Sequence, residues 1–242
     1  MHGPRTTAGG GGFQLPPVTP FLRNLLVGLF VLYAVELIAR NMLRVPIDIL
    51  AWHGFGAGFQ IFQPATRYLV QGNAVLGVVI GALVLYFFLP TIQRMYSPPQ
   101  WGEALLAGAL GGTAFGLLVN LLGIVGGSSM GWSPLIIVFI VLFGLKIPDA
   151  TILLFFVLPI PAKVLAWGSG VIALLVFLAS LDLSTADYLG TWAGAVGWWY
   201  TRGPGGRRRK LVHKARKIER DLARFEVYEG GLQDPKDDGI IH

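Results

Sequence analysis

GWSPLIIVFIVLFGLKIPDATILLFFVLPIPAKVL, residues 131–165, decides what kind of protein this is. Between Pro134 and Lys146 there is no charged side chain, and the run is apolar on every helical face. A helix at a water interface carries one apolar stripe; one that is apolar all round sits in a core or in lipid. Ser133 and Pro134 open it well, because Ser is a preferred helix cap and Pro is favoured at the first helical position. At residues 131–145 the segment falls short of the roughly 20 residues that cross the hydrocarbon unaided. It is followed by an apolar approach, residues 152–161, that Pro159 and Pro161 break.

Outward from this stretch the same character persists. Of 242 residues, 54% are hydrophobic and 13% charged, against about a quarter charged in a soluble domain. Five further long apolar runs read as spans: residues 21–39, with Arg23 near its start and Glu36 near its end, 74–92, 104–125, 164–181 and 185–200. The fold class is therefore an all-α integral membrane protein, a bundle of six transmembrane helices over residues 21–200. Residues 1–20, with the run from Gly9 to Gly12, read as a flexible cytoplasmic lead without the apolar core and cleavage site of a signal peptide. Eleven of the nineteen Lys and Arg follow Tyr200. The run Arg207, Arg208, Arg209, Lys210 marks that side as cytoplasmic, and an even number of spans puts both termini there. Trp198, Trp199 and Tyr200 form an interfacial anchor before it. Arg40, Arg44 and Arg67 then fall on the external side between the first two spans, where residues 44–73 form a long loop whose aromatic residues Trp52, Phe55, Phe59, Phe62 and Tyr68 suit the headgroup layer.

Small residues recur at helical spacing, as in Gly108 and Gly112, Gly112 and Gly116, and Gly190 and Gly194. In lipid such pairs let backbones approach and gain dispersion contacts. With no Cys, and with His2, His53, His213 and His242 all outside the apolar runs, no metal or other cofactor is expected. Glu36, near the end of the first span, reads either as an interfacial acid or as a polar contact inside the bundle.

Three stretches together resemble the rhomboid family of intramembrane serine peptidases. GWSPLIIVFIVLFGLKIPDATILLFFVLPIPAKVL is similar to the segment in which a Gly-x-Ser-Gly motif starts a helix and a Leu-Pro-Ile-Pro-Ala-Lys stretch follows. YLGTWAGAVGWWY, residues 188–200, is similar to the family's His-Leu-Gly-Gly helix with small residues and an aromatic end. LYFFLPTIQRMY, residues 85–96, resembles the inner end of its second span. The resemblance implies a six-helix rhomboid-like bundle in a bacterial inner membrane, with Gly131 and Ser133 at the nucleophile motif. Matching the Leu-Gly pair puts Tyr188 where the family has its catalytic His, whereas counting back from Gly190 and Gly194 would put Asp187 there. Gln71 or Gly72, and Ile80 or Gly81, occupy the region of the family's oxyanion-supporting His and Asn. Pro134 stands in place of a Gly and has no backbone N–H to offer.

Ser133 is thus a nucleophile position whose base is replaced by Tyr188, with Asp187 the alternative base and His53 usable only if the external loop folds inward. The implied function is a pseudoprotease that binds transmembrane segments of client proteins without cutting them. An active serine endopeptidase using Ser133 and a base other than His is one alternative. The other is a small membrane scaffold or transporter. After residue 200, Leu211, Ala215, Ile218, Leu222 and Phe225 recur at steps of four and three among basic residues. This predicts an amphipathic cytoplasmic helix within residues 201–231, ending near Gly230 and Gly231, with anionic membrane lipid rather than nucleic acid as its partner. Residues 232–242 read as a disordered tail.

Overall fold

A computed structural model describes residues 18–55, 59–72, 75–154 and 158–225. The Gly9 to Gly12 run, the expected helix end near Gly230 and the tail over residues 232–242 lie outside them. Helix dominates. The first, α1, is Pro20–Asn41, capped by the Thr19 hydroxyl, which accepts the Leu22 N–H at 3.2 Å, with Pro20 in the first turn. A loop with single turns at Ile47–Leu50, α2 (Gln63–Thr66) and Arg67–Leu69 leads to α3, Val75–Met95. Next come α4, Pro98–Leu121, and α5, Ser133–Lys146. After a hairpin follow α6, Ala162–Ser180, and α7, Leu183–Thr201.

Among the described residues, α1, α3, α4 and α6 are each long and apolar enough to cross a membrane, which marks the chain as a membrane protein. Their outer faces keep large apolar side chains exposed, as at Val31, Leu76, Leu110 and Ile172. In water such a surface would be costly; in lipid it is solvated. Conversely, α5 has 14 residues and is buried along most of its length, packed against α3, α4 and α6. Its all-round apolarity serves a protein interior.

One element departs from the all-α expectation. The apolar approach forms an antiparallel pair, β1 (Thr151–Leu154) with β2 (Leu158–Pro161), in register from Thr151 opposite Pro161 to Leu154 opposite Leu158. A two-stranded ribbon has only edges, and edges tolerate the missing N–H of Pro159 and Pro161.

Backbone proximity joins α4 to α7. A Cβ at Gly194 would lie 2.3 Å from the Ala107 carbonyl oxygen, and those at Gly111 and Gly190 would each lie 2.5 Å from the other's oxygen. Gly194→Ala is expected to cost about 1–3 kcal/mol by overpacking, because the obstacle is backbone and cannot rotate aside. Gly168→Ala, where a Cβ meets nothing within 4 Å, is the matched control. Equal melting temperatures for the two variants would defeat this reading.

The turn into α7 is closed by Leu181 at φ 50° and by Asp182, whose Oδ1 accepts the Thr185 N–H at 2.8 Å and the Ser184 hydroxyl at 2.7 Å. Burial pushes the Asp182 carboxyl up, but these hydrogen bonds outweigh it and hold the group below its usual range. A folded-state value below the unfolded one means the cap's contribution is complete above about pH 4 and is lost as pH falls through the folded value. Asp182→Ala should therefore lower stability by about 1 kcal/mol near neutrality, and the gap to wild type should close on acidification. A gap that persists at low pH would contradict this.

The chain forms two compact units, Met1–Trp198 and Trp199–His242. The second holds α8, Pro204–Phe225, which contains Arg207, Arg208, Arg209 and Lys210. Leu211 and Ile218 are 67% and 59% exposed on it.

Candidate site at the start of helices five and seven

Ser133 is the first residue of α5, and the position before the helix is Trp132. Its hydroxyl does not cap the helix. Instead the Tyr188 phenol, one turn into α7, donates a hydrogen bond to Ser133 Oγ. The structure thus brings together the two residues expected at the nucleophile and base positions, and no His lies in the pair. Gly131 precedes it at φ +100°, a conformation open to glycine. A Cβ there would sit 3.1 Å from Gln71 Oε1 and 3.5 Å from Ser133 Oγ, so the Gln71 amide lies beside the site.

Asp187 does not face Ser133. Its carboxylate is fully buried and accepts from Arg67 Nη2 at 2.8 Å, from the Ser129 hydroxyl at 2.8 Å and from the Thr191 hydroxyl at 3.4 Å. Those three donors take three of the roughly four acceptor sites of the carboxylate, and the ion pair ties the group to Arg67. Gly112 of α4 makes the room, since a Cβ there would lie 2.1 Å from Asp187 Oδ1. The α4 glycines therefore do more than pack helices: Gly116 likewise admits the Trp52 ring, 2.5 Å from where its Cβ would be.

Arg67 is the residue that sequence reasoning misplaced. Its side chain is 0% exposed, although a loop arginine reads as an external charge. Its Cζ lies 4.3 Å from the Trp52 ring centroid and 4.6 Å from that of Tyr68, while Nη2 also reaches the Thr113 hydroxyl at 3.2 Å. Arg67 Nε and Nη1 find no hydrogen-bond acceptor among the described residues; the aromatic faces are their compensation. Burial first, and then the Asp187 carboxylate, push the Tyr68 phenol up to about 12, against the lowering effect of Arg67. Tyr68 therefore stays neutral throughout the physiological range.

Trp52 exchanges backbone hydrogen bonds with Ser129 at 3.0 and 2.8 Å and packs with Val119, Val125, Phe177 and Leu183. This part of the loop turns into the protein, not toward headgroups. Glu36 on α1 is buried as well. Its carboxylate accepts the Gln71 and Gly72 N–H groups at 2.7 and 2.8 Å and pairs with Arg40 at 3.2 Å. Of the two readings of Glu36, the internal polar contact is the observed one. His53 is exposed, with Nε2 3.0 Å from the Asp48 carbonyl oxygen, and takes no part. Gly190 and Gly194 serve the contact with α4. Ile80 is exposed, and Gly81 meets the Trp132 ring and Ile136.

No family model, curated protein or solved structure matches this chain.

Two signals could have located the buried pair. Asp187 is an acid near the start of an otherwise uncharged apolar helix, and such a charge needs a partner. Arg67 sits in a loop rich in aromatic residues, the environment in which a guanidinium stacks.

Proposed function

We propose that this chain is a rhomboid-like pseudoprotease: a bundle of six spans, α1 and α3 to α7, in a bacterial inner membrane with both termini cytoplasmic. It binds transmembrane segments of other membrane proteins and does not cut them. The observation that carries this reading is the hydroxyl pair. Ser133 occupies a nucleophile position at a helix start, and its partner is a phenol that donates a proton where hydrolysis needs an acceptor. Asp187, the other base considered, is engaged by Arg67. The test is a photocrosslinker at Leu175, 59% exposed on α6, in full-length protein reconstituted with a model transmembrane substrate. Crosslinking without cleavage supports the proposal. Cleavage abolished by Ser133→Ala would establish the endopeptidase alternative instead, and neither crosslink nor cleavage would favour a scaffold or transporter.

The second unit supports a lipid-binding role for α8. Exposed Leu211 and Ile218 share a helix with Arg207, Arg208, Lys214, Arg216, Lys217 and Arg220. An apolar face backed by basic residues suits an anionic membrane surface, at about 1 kcal/mol for each cation near it. An environment-sensitive dye on Ile218→Cys, the sole thiol of the variant, should shift to the blue in anionic nanodiscs relative to zwitterionic ones. Identical emission in both would remove the lipid assignment.

A further inference from the structure

Arg67 is tied to both members of the Ser133 and Tyr188 pair through residues beside them. Its carbonyl accepts the Gly131 N–H at 2.9 Å, two positions before Ser133. Its guanidinium donates to Asp187 at 2.8 Å, one position before Tyr188. A third tie runs through Trp52, whose ring stacks on the guanidinium and whose backbone pairs with Ser129, itself a donor to Asp187. One buried side chain and its own carbonyl thus contact the approach to α5 and the second turn of α7.

We propose that Arg67 is the positioning residue of the site. It sets the separation and rotation of the two helix starts, and the Tyr188 to Ser133 hydrogen bond forms only while the ion pair is intact. The physical reason is asymmetry of cost. A hydrogen bond weakens steeply once its angle or length departs from a narrow range. Any helix movement that spoils it would also pull Asp187 from Arg67 and leave two desolvated charges unpaired. Gly112 reinforces this, because the carboxylate already fills the space that a Cβ would take and has nowhere to retreat on α4.

The chain has no Cys, so Ser133→Cys supplies a single thiol at the site. Its modification rate by a small methanethiosulfonate, in the full chain in nanodiscs, reads how well position 133 is engaged. In that background Tyr188→Phe is expected to raise the rate about tenfold, the factor that one hydrogen bond is worth. Arg67→Met with Asp187→Asn removes the ion pair without stranding a charge and should raise it to the same level. Adding Tyr188→Phe to that pair should then change nothing further, because the bond it deletes is already gone. If the paired variant folds poorly, Arg67→Lys, which keeps both charges but loses the planar guanidinium that stacks and donates here, is expected to raise the rate in the same direction. A paired variant that reacts like Ser133→Cys alone, or effects that multiply with Tyr188→Phe, would overturn the proposal. The readout needs no client and no peptide bond, so it is independent of whether the protein binds or cuts one.

Discussion

Arg67→Met, made alone, is expected to destabilise the bundle by about 3–5 kcal/mol, the cost of removing one partner from a buried ion pair. Asp187 would keep the Ser129 and Thr191 hydroxyls, but neither neutralises its charge. The aromatic cage of Trp52 and Tyr68 would lose its cation, and the loop from Ile47 to Val70 would lose its tie to α7. Adding Asp187→Asn should recover most of the deficit. The amide keeps the shape that the crowded space beside Gly112 demands, and two neutral side chains of similar size often match a buried ion pair in stability. Unfolding in mixed detergent, followed by tryptophan fluorescence, measures both variants. The idea fails if Arg67→Met unfolds like wild type, or if the second substitution deepens the loss.

The helices were legible in the sequence because hydrophobic runs are local. Runs at 21–39, 74–92, 164–181 and 185–200 correspond to α1, α3, α6 and α7 within a few residues. The largest offset is at α4, expected from residue 104 and beginning at Pro98; Ser97 and Pro98 start the helix before its apolar stretch, and hydropathy alone does not register a cap. What escaped was non-local. Arg67 and Asp187 are 120 positions apart and Glu36 and Gln71 are 35 apart, so no window along the chain contains either contact. A loop arginine is usually solvated, and only the inward turn of Trp52 makes this one internal. The hairpin escaped for a related reason: apolar runs with two prolines argue against a helix, but strand pairing depends on which partner comes alongside.

Wild-type protein is expected to form no fluorophosphonate adduct at Ser133, and Tyr188→His to permit slow labelling that Ser133→Ala abolishes. Three features of the site act in the same direction. Tyr188 offers a phenol, a proton donor where a base is needed, and it aims that proton at the oxygen that would have to attack. Pro134 has no N–H to give a developing oxyanion, and Asp187 is held by Arg67. Loss of the base and of an oxyanion donor each costs roughly two to four orders of magnitude in rate. Histidine at position 188 would restore the first only, and imperfectly. An imidazole nitrogen lies closer to its own Cα than a phenol oxygen does, so helices spaced for Tyr188 leave the ring short of Ser133. The gain should therefore sit near the lower end of the general-base range, about a hundredfold. An adduct on the wild-type chain that disappears in Ser133→Ala would refute this, because the nucleophile would then be finding its base at a tyrosine that donates or at a carboxylate that its ion pair occupies.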